Sequence, residues 1–178
     1  MLATAVLAAC SAQQEPPAFP YFEAEGGRVR DGADILSSAA EQSLVATLDA
    51  AEASFGTQLA IVTVESLHGY SIEDFSLLYA RAWGLGDGER NDGLLLLVAP
   101  DERRVRIEVG KGIEETFTDL YCKDVIESAI IPRFREGNME GGVVAGAEAL
   151  IDQMRKHPTI PANDNAPAEA PVKVSKVA

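Results

Sequence analysis

The chain has 178 residues, a formal net charge of −13 at pH 7 and a hydrophobic fraction of 47%. That length suits one domain able to bury a core without staples, the acidity argues against binding to nucleic-acid phosphates, which takes clustered Lys and Arg, and no apolar run approaches the ~20 residues a helix needs to cross a bilayer. With only Cys10, Cys122, His68 and His157 as soft ligands, neither a disulfide framework nor a zinc site is expected.

At the amino end, Leu7-Ala8-Ala9-Cys10 closes a short apolar run and small polar residues, Ser11-Ala-Gln-Gln, follow. The pattern resembles a bacterial lipoprotein signal over residues 1–10, with cleavage leaving Cys10 as a lipid-modified terminus. No Lys or Arg precedes the apolar run, which is short for a signal, so the true start is expected upstream. More than one acyl chain on Cys10 would give stable attachment. Residues 11–27, with Pro16, Pro17, Pro20, Gly26 and Gly27, have no period and are expected to form a flexible tether. The folded domain is expected over residues 28–157 and a disordered tail over 158–178.

Within the domain, Ser38-x-x-Glu41 reads as a capping box, and Leu44, Leu48, Ala51 and Phe55 share one face, which predicts a helix from Ser38 to Phe55 stopped by Gly56. Gln58 to Val64 is apolar on both faces and β-branched, as a strand covered on both sides should be. A second helix is predicted from Ser71 to Trp83, with Phe75, Leu78, Tyr79 and Ala82 inward and Gly84 as its stop. Gly93 to Val98 is a second two-face-buried strand, so strand, helix and strand make a right-handed parallel unit. Pro100-Asp101-Glu102 is too short for a crossover, so Arg103 to Val109 must return antiparallel as a strand at or near the edge, with Val105, Ile107 and Val109 on the core face and Arg104, Arg106 and Glu108 toward water. Helices are predicted from Thr118 to Ile131, with Cys122, Val125, Ile126 and Ala129 as a buried stripe, and from Met139 to Lys156 with Asn138 as cap. Pro132 and Gly137 bracket the link between them. The expected fold is α/β, a three-layer α/β/α sandwich with a mixed, mostly parallel sheet plus one antiparallel hairpin strand.

The hairpin sets the start of one strand beside the end of the next, so Asp87, Glu89, Asn91 and Asp92 are expected near Glu114, Glu115 and Asp119. Oxygen ligands on loops suit Ca2+ or Mg2+. No ordered twelve-residue calcium loop is present, so the expected affinity is modest, ~10⁻⁴ to 10⁻³ M. The same residues also read as an Asn-Asp-Gly turn at Asp92 and a helix cap at Asp119. Ligands in open α/β sheets usually bind beyond the carboxyl ends of the parallel strands, which here would hold Asp34, Glu65, Ser66 and His68. No phosphate-cradling loop, Cys-x₅-Arg loop or serine nucleophile elbow occurs.

Several blocks carry a resemblance to the TPM domain family: Val29-x-Asp31 with Ile35-Leu36-Ser37, Gln58-Leu-Ala-Ile-Val-Thr-Val, Ser71-Ile-Glu-Asp, Trp83-Gly-Leu-Gly, Asp92-Gly-Leu-Leu-Leu-Leu-Val-Ala, Arg104-Val-Arg-Ile-Glu-Val-Gly and Ile131-Pro-Arg-Phe. The resemblance implies the same sandwich, placement outside the cytoplasm in the bacterial cell envelope, facing the periplasm, and divalent-cation binding. Carried over by motif, Asp92, Glu114 and Asp119 are the metal-ligand candidates, with Asp31 or Asp34 as an addition. The implied role is a binding or maintenance factor for membrane-associated proteins, with an unidentified protein partner, no nucleic acid and membrane contact through the lipid anchor only. Without modification of Cys10 the protein would be secreted. The alternative is a metal-dependent acid phosphatase acting on phosphomonoesters, for which the sequence supplies no evident nucleophile or base.

Overall fold

The computed structural model describes residues 27–160. Cys10 with its signal, the tether up to residue 26 and the tail from residue 161 lie outside the described residues. Within them the chain runs β1 (Val29–Asp31), α1 (Ser38–Phe55), β2 (Gln58–Thr63), α2 (Ile72–Trp83), β3 (Gly93–Ala99), β4 (Arg104–Val109), α3 (Asp119–Asp124), α4 (Ile131–Arg135) and α5 (Met139–Lys156). A 3₁₀ turn covers Lys111–Ile113, and a π-helical stretch, Val125–Ile130, joins α3 to α4.

The strand order is β1-β2-β3-β4, with β1, β2 and β3 parallel and β4 antiparallel to β3. Because side chains alternate along a strand, β2 and β3 divide their apolar residues between two cores. Leu59, Ile61, Leu94, Leu96 and Val98 meet α1, α3 and α5 on one face. Ala60, Val62, Leu95, Leu97 and Ala99 meet α2 on the other, where Phe75 stacks on Tyr79 and Tyr79 meets Trp83 edge-on. The fold is the mixed α/β sandwich that two-face-buried strands dictate. The reversal after β3 closes at Arg103, whose N–H donates to Pro100 O at 3.0 Å. No helix among the described residues is long and apolar enough to cross a membrane.

Several elements differ from expectation. β1 carries one apolar residue and becomes a strand only by pairing with Ile61, Val62 and Thr63. The cap of α1 is Ser37, which accepts from Ala40 N, and not Ser38. On α2 the buried residues are Ile72, Phe75, Ser76 and Tyr79, whereas Leu78 and Ala82 face outward. The polar face of β4 opens to water only in part: Arg104 is exposed, but Glu108 is held in. Glu108 accepts from Ser76 Oγ and from Arg106 Nε, both at 2.8 Å, beneath α2.

Pro132 also acts differently from a plain breaker. It lacks an N–H and its ring crowds the carbonyl four residues back. The chain absorbs this with a π insertion, in which Ile131 N–H reaches Ile126 O, and then continues into α4. One extra residue in the turn shifts the buried stripe from the expected Ala129 to Ile130, which is fully buried.

The two crossovers have opposite hands. Both step between neighbouring parallel strands in the same direction, from β1 to β2 and from β2 to β3. Yet α1 lies on the face of Leu59 and Ile61, and α2 on the face of Ala60 and Val62. The right-handed rule for such units therefore holds for only one of the pair.

Candidate functional site

The amino end of β3 is tied shut. Asp92 is fully buried, and both of its carboxylate oxygens are taken. Oδ1 accepts from Asp87 N at 2.8 Å, and Oδ2 accepts from Arg90 Nε at 2.7 Å and Thr159 Oγ1 at 3.3 Å. Its own loop is wound around it: Asp87 Oδ1 accepts from the N–H groups of Glu89 and Arg90. Those backbone donors, Arg90 first, hold the Asp87 carboxyl below the usual carboxylate range. The hydrogen bond to Asp92 pushes the Arg90 guanidinium above its ordinary value. Gln58 bridges to α1, since its Oε1 accepts from Gly86 N and its Nε2 donates to Glu52 Oε1, both at 2.8 Å. The chain past α5 completes the knot, with Thr159 N–H donating to Phe55 O at 2.8 Å.

The expected approach of the two loops is present. Gly110 N–H donates to Gly93 O at 2.8 Å and Gly112 N–H to Asn91 O at 3.0 Å. Contact is so close that a Cβ on Gly112 would lie 1.7 Å from Arg90 O. Glu114 and Asp119 are exposed at this end, where Gln153 Nε2 holds Thr116 O at 3.0 Å. Asp119 is not the cap of α3; Thr118 is, accepting from Tyr121 N. The left-handed turn position falls on Asn91, at φ 50°, and not on Asp92.

A hard cation needs carboxylate oxygens free to turn toward it. At Asp92 those oxygens face inward and a guanidinium already neutralises them. Among the described residues no three or more His, Cys, Asp or Glu side chains converge. Asp92, Glu114 and Asp119 therefore do not fit a resident Ca2+ or Mg2+ ion. Arg90 and Thr159 are the partners that sequence reasoning missed. The signal for Arg90 was available, because an Asp leading a wholly buried strand must be paired.

The opposite end is built differently. The loop after β1 leaves toward α1 and the loop after β2 toward α2, on opposite faces of the sheet, which is the arrangement that opens a crevice at the carboxyl ends of parallel strands. Asp31 and Thr63 tie the loop after β1 to the end of β2. Asp31 accepts from Thr63 Oγ1 and, at 2.7 Å, from Leu36 N, while Thr63 Oγ1 accepts from Ala33 N at 3.0 Å. The rims are pinned as well. Glu102 Oε1 accepts from Leu67 N at 2.8 Å, and Glu140 Oε2 accepts from Ser37 N at 2.7 Å. Asp34 and His68, one on each rim, hold left-handed backbone at φ 52° and 50°, uncommon away from glycine. Asp34, Glu65 and His68 are exposed. Cys122 is buried against Phe117 O, and burial pushes its thiol up to about 11, as a core thiol requires.

The molecule is thus a four-stranded α/β/α domain whose loops are tied together at the amino end of β3 and diverge to opposite faces at the carboxyl ends of β1 and β2. The chain belongs to the TPM domain family, whose profile matches residues 29–153. It is similar to the N-terminal domain of a protein from P. gingivalis, solved in solution, at 36% identity and a TM-score of 0.69, over 75% of this chain and 87% of that one. The N-terminal domain of the cg2496 protein from Corynebacterium glutamicum shares the fold at 23% identity and a TM-score of 0.57, over 85% and 88%. So does the BA42 protein from the psychrophilic bacterium Bizionia argentinensis, at 20% and 0.64, over 78% and 92%. No curated protein matches the chain.

Proposed function

We propose that this TPM domain is a binding or maintenance factor of the bacterial cell envelope, held at the membrane by lipid on Cys10 and facing the periplasm, and that it does not hydrolyse phosphomonoesters. Its working surface is the crevice at the carboxyl ends of β1 and β2. Calcium or magnesium enters this reading as a weak, exchangeable ligand of the exposed rim carboxylates Asp34 and Glu65, and not as an ion resident at Asp92. The observation that carries the reading is the commitment of Asp92. The acid best placed by sequence to start metal-assisted phosphoryl transfer spends both oxygens on Asp87, Arg90 and Thr159. A Lewis-acid mechanism requires a metal with an open coordination position and a water bound to it, and a carboxylate so engaged cannot supply the first ligand.

The experiment has two arms. Phosphomonoester turnover is measured with Ca2+, with Mg2+ and with chelator, and no turnover above blank is expected at any pH. Calcium titration followed by residue-resolved NMR is expected to shift residues 31–37 and 65–69. Chelator-sensitive turnover that disappears in Asp92→Ala would establish the phosphatase instead, and shifts confined to residues 84–119 would return the cation to the Asp92 end.

A further inference from the structure

β4 is the last strand of the sheet, and its register settles which way its backbone points. Gly110 N–H donates to Gly93 O, and Leu94 stands opposite Val109. Gly93 and Gly110 are thus a hydrogen-bonded pair, and by the alternation of antiparallel ladders so are Leu95 with Glu108, Leu97 with Arg106 and Ala99 with Arg104. The N–H and C=O groups of Val105, Ile107 and Val109 therefore point away from β3, where no strand follows among the described residues. An edge of this length is a template for another strand.

The geometry points to a second copy of this chain as the occupant, paired β4 to β4, antiparallel, about a two-fold axis at Ile107. In that register Val105 meets Val109, Ile107 meets itself, and Arg106 meets Glu108 in both directions. Moving the axis to Arg106 sets Arg106 against Arg106, and moving it to Glu108 sets Glu108 against Glu108. Like charges directly opposite oppose pairing, so only one register among the three is complementary. The charges also have capacity to spare. Among the described residues Arg106 engages Ser76 and Glu108 through Nε alone, and Glu108 accepts through Oε2 alone. The terminal guanidinium nitrogens and Oε1 remain for the partner.

The result is one continuous eight-stranded sheet with an isologous interface. A single strand edge buries less than the ~1,200 Å² of a standard stable interface, so the dimer is weak and forms as concentration rises. This inference stands apart from the crevice and from the question of catalysis.

The test measures self-association of the 178-residue chain by sedimentation up to roughly 1 mM, together with amide hydrogen exchange. Dimer is expected to grow with concentration while the Val105, Ile107 and Val109 amides slow in step. Glu108→Arg and Arg106→Glu are each expected to weaken self-association about tenfold or more, because like charges then face across the axis. A 1:1 mixture of the two variants is expected to restore pairing, since one chain then presents arginine at both of these positions and the other presents glutamate at both. Circular dichroism checks that both fold. Should either fail, Val105→Pro removes an outward N–H without touching the ladder to β3, and loss of the dimer is again expected. A chain that stays monomeric throughout, a dimer that leaves these amides unchanged, amides equally protected at every concentration, or folded variants that do not associate when mixed would each overturn the proposal.

Discussion

Replacing Asp92 by alanine is the sharpest test of the idea that this acid is a structural pivot. The side chain is fully buried, so its loss leaves Asp87 N–H without its acceptor and opens space behind the loop, while the Thr159 hydroxyl keeps Phe55 O at 3.2 Å. A hydrogen bond to a charged acceptor contributes about 1.5–3 kcal/mol, and an orphaned buried donor costs about 1–3 kcal/mol. With no contribution assigned to Arg90, whose guanidinium is open to water, the expected loss for Asp92→Ala is about 3 kcal/mol. For a domain of this size that lowers Tm by ~10 °C. Asp92→Asn keeps the Oδ1 acceptor for Asp87 N–H but turns an amide toward Arg90 Nε, so it should fall between wild type and alanine. Thermal and urea unfolding measure both, with Asp34→Ala and Glu65→Ala as exposed controls expected within ~0.5 kcal/mol of wild type. Asp92→Ala that unfolds like the controls yet loses calcium or magnesium association would refute the reasoning and make Asp92 a ligand.

Three other perturbations bear on the same packing. Thr57 is fully buried and its Oγ1 has no hydrogen-bond partner among the described residues, so the near-isosteric Thr57→Val should stabilise by about 1 kcal/mol in urea unfolding, because an unsatisfied hydroxyl is removed without loss of volume. Gly112→Ala forces a Cβ to within 1.7 Å of Arg90 O, and since backbone must move, a destabilisation of about 3 kcal/mol or more is expected by the same method. The Cys122 thiol, raised to about 11 by burial, should resist alkylation in the native state at pH 8 and react on unfolding. Its raised value also sets a sign: the thiol's contribution to stability is fully present below pH 9, where it is neutral folded or unfolded, and is lost as pH rises toward 11 because only the unfolded chain ionises.

The parts of the fold legible in the sequence are those whose burial pattern is local. Leu94 to Val98 and Leu59 to Val64 are apolar on both faces and too short for helices, with Asn-Asp-Gly leading the first and Gly56 the second, which suits a covered strand. Val29 to Asp31 carries no such pattern; its strand character comes from β2, some thirty residues on. Pro132 was legible as a disturbance, but not in its outcome, because whether a helix breaks or takes up an extra residue depends on what docks against it. Here Ile130 fills a slot beneath Gly146. The commitment of Asp92 was hidden for a related reason. Counting carboxylates near Asp92 counts charge and not direction, and the direction is set by Asp87 N–H and Arg90 Nε, with Thr159, 67 residues away, adding a longer bond.

The two ends of the sheet follow from one topological fact. Since α1 and α2 lie on opposite faces, the loops that follow β1 and β2 leave the carboxyl edge of the sheet in opposite directions. Below the sheet the chain enters β2 and β3 from those same helices, and the parting there has to be closed or the ends of two fully buried strands would be wet. Asp92 closes it by gathering the loop before β3, and Thr159 draws the chain beyond α5 over the same carboxylate. A buried acid at one end and diverging loops with exposed acids at the other are thus complementary consequences of the crossover geometry. That is why the acid most conspicuous in the sequence holds the fold, while Asp34 and Glu65, on the loops that part, stay exposed.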